Sequence, residues 1–553
     1  MPNDFGFRRM AALTGLMAAV LAVGGCAGMN GGGLNNASGT YDVRAWGAIG
    51  DGKTIDTPAI NAAIRAAAAH GGGTVRFPAG TYASFSIHLQ SNVTLYLDNG
   101  ATILAATPAA GTARPGTVVA FAQPATPPPD APVMQGGKPA TYDQPELNAW
   151  AAFQDFGHSH FHNSLMWGEN LHDVSILGPG MIDGKGLLRE ATNANWGNKA
   201  LALKNCVNVT LRDVTFFRGG HFAVLATGVD GLTIDNCKFD TNRDGVDIDC
   251  CYNVRVSNCY VNAPTDDGLC LKSSYALGKP RATENVTITN CHLSGFAVGT
   301  MLDGTYDRGP KSFPASDGPF GRIKFGTESN GGFKNITISN CVFDHSRGLA
   351  IESVDGGIIE DVTITNLAMR DVNMPPIFIR IGNRARGPAE TTPVGQIRRV
   401  NISDITASGV GSKYPCLIVG LPGHPIEDVR ISNVRIAYEG GGTAAQAALV
   451  LPENERTYPE PSMFGVLPAA GFYVRHATGL EMHHIDMTFD KADARPVFVL
   501  DDVGGADFQH MKVQRFENVP LFKLDKVTDF STQTVRGIAD VKRDAVNGET
   551  IGK

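Results

Sequence analysis

The chain has no run of basic residues and little charge of either sign. Only 18% of its 553 residues are charged, and the formal net charge is −7. Nucleic acid is therefore not expected as a partner. A comfortable membrane span is also missing. The apolar run AALTGLMAAVLAV near the start is too short for one. The ten cysteines lack the look of a disulfide framework, because five of them close near-identical short phrases.

The early apolar run is read as a targeting segment. Arg8 and Arg9 precede it, and it ends at VGGC with Cys26. A charged head, a short apolar stretch and small residues describe a secretory signal. VGGC resembles a bacterial lipobox, so residues 1–26 are expected to form a lipoprotein signal with Cys26 lipidated. A plain signal cut nearby is the alternative. Residues 27–40 are polar and Gly-rich and read as a tether. The expected location is outside the cytoplasm, as an outer-membrane lipoprotein or a periplasmic protein of a Gram-negative bacterium. The only membrane contact expected is that lipid.

What is abundant is a recurring phrase. LTIDNC ends at Cys237, VRVSNC at Cys259, VTITNC at Cys291 and ITISNC at Cys341; LALKNC, ending at Cys206, precedes them. VTITNL, VNISDI and VRISNV come later in the chain. Each is a short alternating strand closed by a turn residue. Spacings run from 22 residues (Cys237 to Cys259) to 50 (Cys291 to Cys341), a base period with insertions. That predicts a β-solenoid whose coils stack at about 4.8 Å. All five cysteines are expected to form one buried ladder, while the exported location would permit a disulfide elsewhere.

An amphipathic helix, TIDTPAINAAIRAAAAHGGG, is placed to cover the first coil. Thr57 is expected as its N-cap, with Ile60, Ile64, Ala67 and Ala68 on the apolar stripe. Residues 41–553 are thus read as a single all-β domain, with insertions near 107–145 and 303–320.

Acids cluster on two consecutive coils. DTNRDGVDIDCC carries Asp240, Asp244, Asp247 and Asp249; APTDDGLCLKS carries Asp266 and Asp267. Stacking would bring Asp244, Asp266 and Asp267 to one patch. Crowded carboxylates push their pKa values apart, which suits a general acid and a general base in glycoside hydrolysis. Turn capping and calcium binding are the other uses of such acids. GHSHFHN would set His158, His160 and His162 on one face of a possible strand, with groove contacts expected rather than a metal.

With these motifs the chain resembles glycoside hydrolase family 28, the polygalacturonases. The likeness runs from YDVRAWGAIGDGKTIDTPAINAAI through LHDVSILGPGMIDGKG to about Arg380. The family's Asn-Thr-Asp-Gly motif reads NRDG, with Arg243 in the threonine position. Its Asp-Asp motif reads DDGLCLKS. The resemblance implies a right-handed parallel β-helix, with Asp266 as general acid and Asp244 and Asp267 holding the attacking water. Asn242 and Lys272 are expected at the substrate, and Arg322 and Lys324 at its anionic group. No Gly-His-Gly occurs. GRIKFGTESNGG contains the family's Arg-Ile-Lys string, but FGTESNGG aligns better with the residues just after the family's Gly-His-Gly. GLAIES then takes the Arg-Ile-Lys coil, with Ala350 and Glu352 replacing the cations. The implied activity is inverting hydrolysis of a uronic-acid-containing, pectin-type glycan by a monomer without cofactor or metal. A polysaccharide lyase on the same fold and a non-catalytic carbohydrate-binding solenoid are the rival readings.

Overall fold

The computed structural model describes residues 39–108, 141–189, 196–309 and 318–553. Cys26, the tether up to residue 38 and most of the 107–145 insertion lie outside these residues, as does the middle of the 303–320 insertion.

The coils stack as a right-handed parallel β-helix. Each central coil contributes three short strands, for example Asp244–Asp249, Tyr252–Ser257 and Tyr260–Asn262. Each strand pairs in parallel with its counterpart one coil on. Val246 faces Leu269, Leu269 faces Ile323, and Ile323 faces Leu349. The alternation of the phrases explains the core. In VRVSNC, Val254 and Val256 are buried and Arg255 between them is exposed. Aliphatic columns then run the length of the solenoid, where each coil shields the next from water.

The asparagine before each cysteine has a geometric reason. Asn236, Asn258, Asn290 and Asn340 all have φ between 51° and 57°. Asparagine tolerates this left-handed corner better than most residues. Their amides also ladder, Asn290 Nδ2 donating to Asn258 Oδ1 at 3.3 Å.

The cysteine ladder is shorter than expected. Backbone pairing lines up Val214, Cys237, Cys259 and Cys291, with Cys341 next. Cys206 stands in another column, with Val229 and Cys251, because its phrase closes the first strand of its coil rather than the second. The nine described cysteines are all buried and unbridged. The adjacent Cys250 and Cys251 both bury because Cys250 is itself a left-handed corner at φ 54°, which turns the two side chains apart.

The ends are closed. The helix Thr57–Ala69 buries Ile60, Ala63, Ile64 and Ala67 against the first coil, while Ala68 is only half-buried. Asp56, not Thr57, precedes the helix as its cap residue. Thr57 Oγ1 instead accepts from the Phe85 amide at 2.8 Å, tying the helix to the strands. At the other end an antiparallel strand, Val541–Val546, pairs with Phe522–Gln533 and ends the parallel stack.

Candidate active site

Stacking brings the two acid clusters together. The Gly245 amide donates to the Asp267 carbonyl at 3.0 Å, and the Gly268 amide to the Arg322 carbonyl at 2.9 Å. Asp244, Asp267 and Arg322 therefore occupy successive coils. Gly245 permits this approach: a Cβ there would lie 2.4 Å from the Gly268 carbonyl oxygen.

Cations hold the three carboxylates. Arg243 Nε lies 3.0 Å from Asp266 Oδ2 and 3.7 Å from Asp244 Oδ1, and its guanidinium sits over the Phe222 ring. Arg322 Nε donates to Asp267 Oδ1 at 2.5 Å, and Lys324 Nζ is 3.5 Å from Asp267 Oδ2. Asp266 is 20% exposed, against 2% for Asp244 and 4% for Asp267. Only Asp266 thus offers appreciable surface to a ligand.

The surroundings push two of these acids in opposite directions. Burial raises Asp244 well above the ordinary aspartate range; Arg243 opposes this, and the Asp266 and Asp247 carboxylates add to it. Burial would also raise Asp267, but Arg322, Lys324 and Lys272 outweigh it and hold that carboxyl far below the usual range. One buried acid is pushed towards its neutral form beside one held towards its ionised form.

Asp249 and Asp240 of the opening cluster are taken up by hydrogen bonds within the chain. Asp249 accepts from the Ser274 amide and hydroxyl, both at 2.7 Å. Asp240 accepts from Asn262 Nδ2 and the Gly299 amide, both at 3.0 Å.

Of the expected substrate contacts, Asn242 is half-buried and accepts from the Gly220 amide at 3.2 Å. Lys272 is buried, 3.0 Å from Glu328 and 3.7 Å from Asp247. Arg322 and Lys324 lie on the coil directly after Asp266–Asp267, since Cys270 pairs with Lys324. Leu349–Ser353 is the next coil, where Ala350 pairs with Lys324.

The three histidines do not share a strand face. Phe156–Ser159 is a short helical turn. His158 is buried against Asp247 at 3.2 Å, His160 bonds the Phe156 carbonyl at 3.0 Å, and His162 stacks on Trp167. Asp155, His158 and Glu328 have ligand atoms close enough to share a metal. Their carboxylates already serve cations: Arg386 reaches Asp155 at 3.3 Å, and Lys272 and Arg384 reach Glu328 at 3.0 and 3.5 Å.

Two side chains at the site carry no sequence signal. Glu460 binds Arg322 and accepts from Arg347 Nη1 at 2.9 Å. Tyr458 Oη accepts from Thr327 Oγ1 at 2.9 Å and from Lys324 Nζ at 3.3 Å. Both come from an irregular segment more than a hundred residues downstream, with no repeat to flag it.

Known proteins share this architecture. Residues 170–307 match the family model described as right handed beta helix region, and residues 40–127 match one described as rhamnogalacturonase A/epimerase, pectate lyase-like. A probable polygalacturonase of Vitis vinifera is 24% identical over 423 residues, covering 71% of this chain and 73% of that protein. An exopolygalacturonase of Arabidopsis thaliana is 23% identical, covering 72% and 77%. The solved family 28 exopolygalacturonase of Yersinia enterocolitica superposes with a TM-score of 0.57 at 17% identity, over 86% of this chain and 78% of that one, a likeness of fold. The chain is a divergent relative of the family 28 polygalacturonases, built on a right-handed parallel β-helix.

Proposed function

We propose that the chain is an inverting glycoside hydrolase acting on a pectin-type glycan that contains uronic acid. The observation that carries this reading is the opposed displacement of Asp244 and Asp267 on adjoining coils. Asp267, ionised, takes a proton from the attacking water. Asp244, whose proton burial favours, donates in this scheme a hydrogen bond that orients the same water. Asp266, the exposed member, protonates the leaving glycosidic oxygen. Separate acid and base groups on either side of the bond give a single displacement with inversion. Arg243 and Arg322 hold the carboxylates in place without joining the proton transfers. The protein works as a monomer outside the cytoplasm, tethered through a lipid on Cys26.

The test is digestion of polygalacturonate, rhamnogalacturonan and pectic side-chain oligosaccharides, with reducing-end assay, ultraviolet absorbance and proton NMR of the first-formed anomer. New reducing ends with inverted configuration support the reading. Unsaturated, absorbing products identify a lyase instead. Binding without any cleavage identifies a non-catalytic solenoid.

A further inference from the structure

The cations beside the three acids are already neutralised from within the chain. Arg322 is 3% exposed and lies between Asp267 and Glu460. Arg347 is 1% exposed, stacked on the Phe320 ring and paired with the same Glu460. Lys324 sits 3.5 Å from both Asp267 and Glu352. Arg243 serves Asp266 and Asp244. Among the described residues, each cation at the reaction centre thus has a carboxylate of this chain within ion-pairing distance.

Glu460 occupies the two arginines that a sugar carboxylate would otherwise need. Its two oxygens face the fork of Arg322, and one also accepts from Arg347. A uronate entering here would have to displace Glu460, 16% exposed, from its ion pairs with both Arg322 and Arg347. It would also lie near the Asp267 carboxylate on the other side of Arg322, and like charges that close oppose binding.

Glu352 is fully buried and 3.5 Å from Lys324, so it faces that cation from inside the chain rather than a ligand.

We infer that the glycosyl unit bound beside Asp266 and Asp267 is uncharged, and that Glu460 is the residue excluding a uronate there. This rests on the hydrolase reading and narrows its substrate: within a glycan that contains uronic acid, the sugar held at the centre is a neutral one. Glu460 is a specificity-determining residue in this scheme, acting through Arg322 and Arg347.

The experiment compares pectic oligosaccharides whose non-reducing ends are neutral or uronate, with matched pairs made by chemically reducing the terminal carboxylate to an alcohol. Calorimetric Kd and kcat/KM are measured on the full chain. Neutral-ended members should bind at least about tenfold more tightly than their uronate partners, and only they should be cleaved. In Glu460→Gln, whose fold is checked by thermal melting, affinity for the uronate-ended members should rise by about tenfold or more. Equal or better binding and cleavage of uronate-ended members by the unaltered protein overturns the inference and leaves the hydrolase reading intact. Preferential binding of neutral ends without cleavage of any member does the reverse. No binding by any member overturns both.

Discussion

Arg322 Nε donates to Asp267 Oδ1 at 2.5 Å, and both side chains are almost wholly buried. The pair is charged on both sides, and neither partner can turn to water if the other is lost. Removing one charge from a buried pair costs about 3–5 kcal/mol. Arg322→Met should therefore lose roughly that much in denaturant unfolding at neutral pH. The same variant frees Asp267 from its chief counter-charge, so the acid limb of the kcat profile should move to higher pH. An unchanged acid limb would remove Asp267 from the base role.

The three acids should separate by substitution. Asp244→Asn, Asp266→Asn and Asp267→Asn should each lower kcat by about 10²–10⁴-fold, the usual contribution of positioned acid–base groups. Asp240→Asn should keep near-normal turnover, since Asp240 is engaged by Asn262 and by the backbone around Gly299. The basic limb of kcat/KM reports the proton donor. Its loss in Asp266→Asn supports the assignment above, whereas its loss in Asp244→Asn would make Asp244 the donor.

Asp244→Asn should also stabilise the protein, in a defined pH window. The folded state binds the Asp244 proton more tightly than the unfolded chain does, burial being the main cause. Stability of the unaltered protein therefore declines as pH rises from about 3.9 towards the raised folded value. Asparagine has no proton to lose. The variant's advantage in Tm should be absent below that window and grow across it. Thermal melts from about pH 3 to 8 read this directly, and a pH-independent difference would count against a buried neutral Asp244.

Cys26 should carry lipid and be the mature N-terminus. Mass spectrometry of the protein from the membrane fraction of its natural host checks this, and Cys26→Ser should release it to the soluble fraction. A soluble, unmodified mature chain starting elsewhere would leave the VGGC reading without support.

The solenoid and the placing of the acids are legible in the local sequence. A strand has a side-chain period of two, and a coil returns to the same face once per turn. The phrases around Cys237, Cys259, Cys291 and Cys341 therefore announce the stack, and Asp244 and Asp266–Asp267 read as neighbours. The cap Asp56 and the odd column of Cys206 depart from the sequence expectation because turns differ by one or two residues where phrases look alike. The tuning of the acids belongs to tertiary packing alone. Glu460 reaches Arg322 across 138 residues and His158 reaches Asp247 across 89. Ion pairs between such distant segments obey no local period. Whether a buried carboxyl holds its proton depends on every charge packed around it, whatever the chain separation.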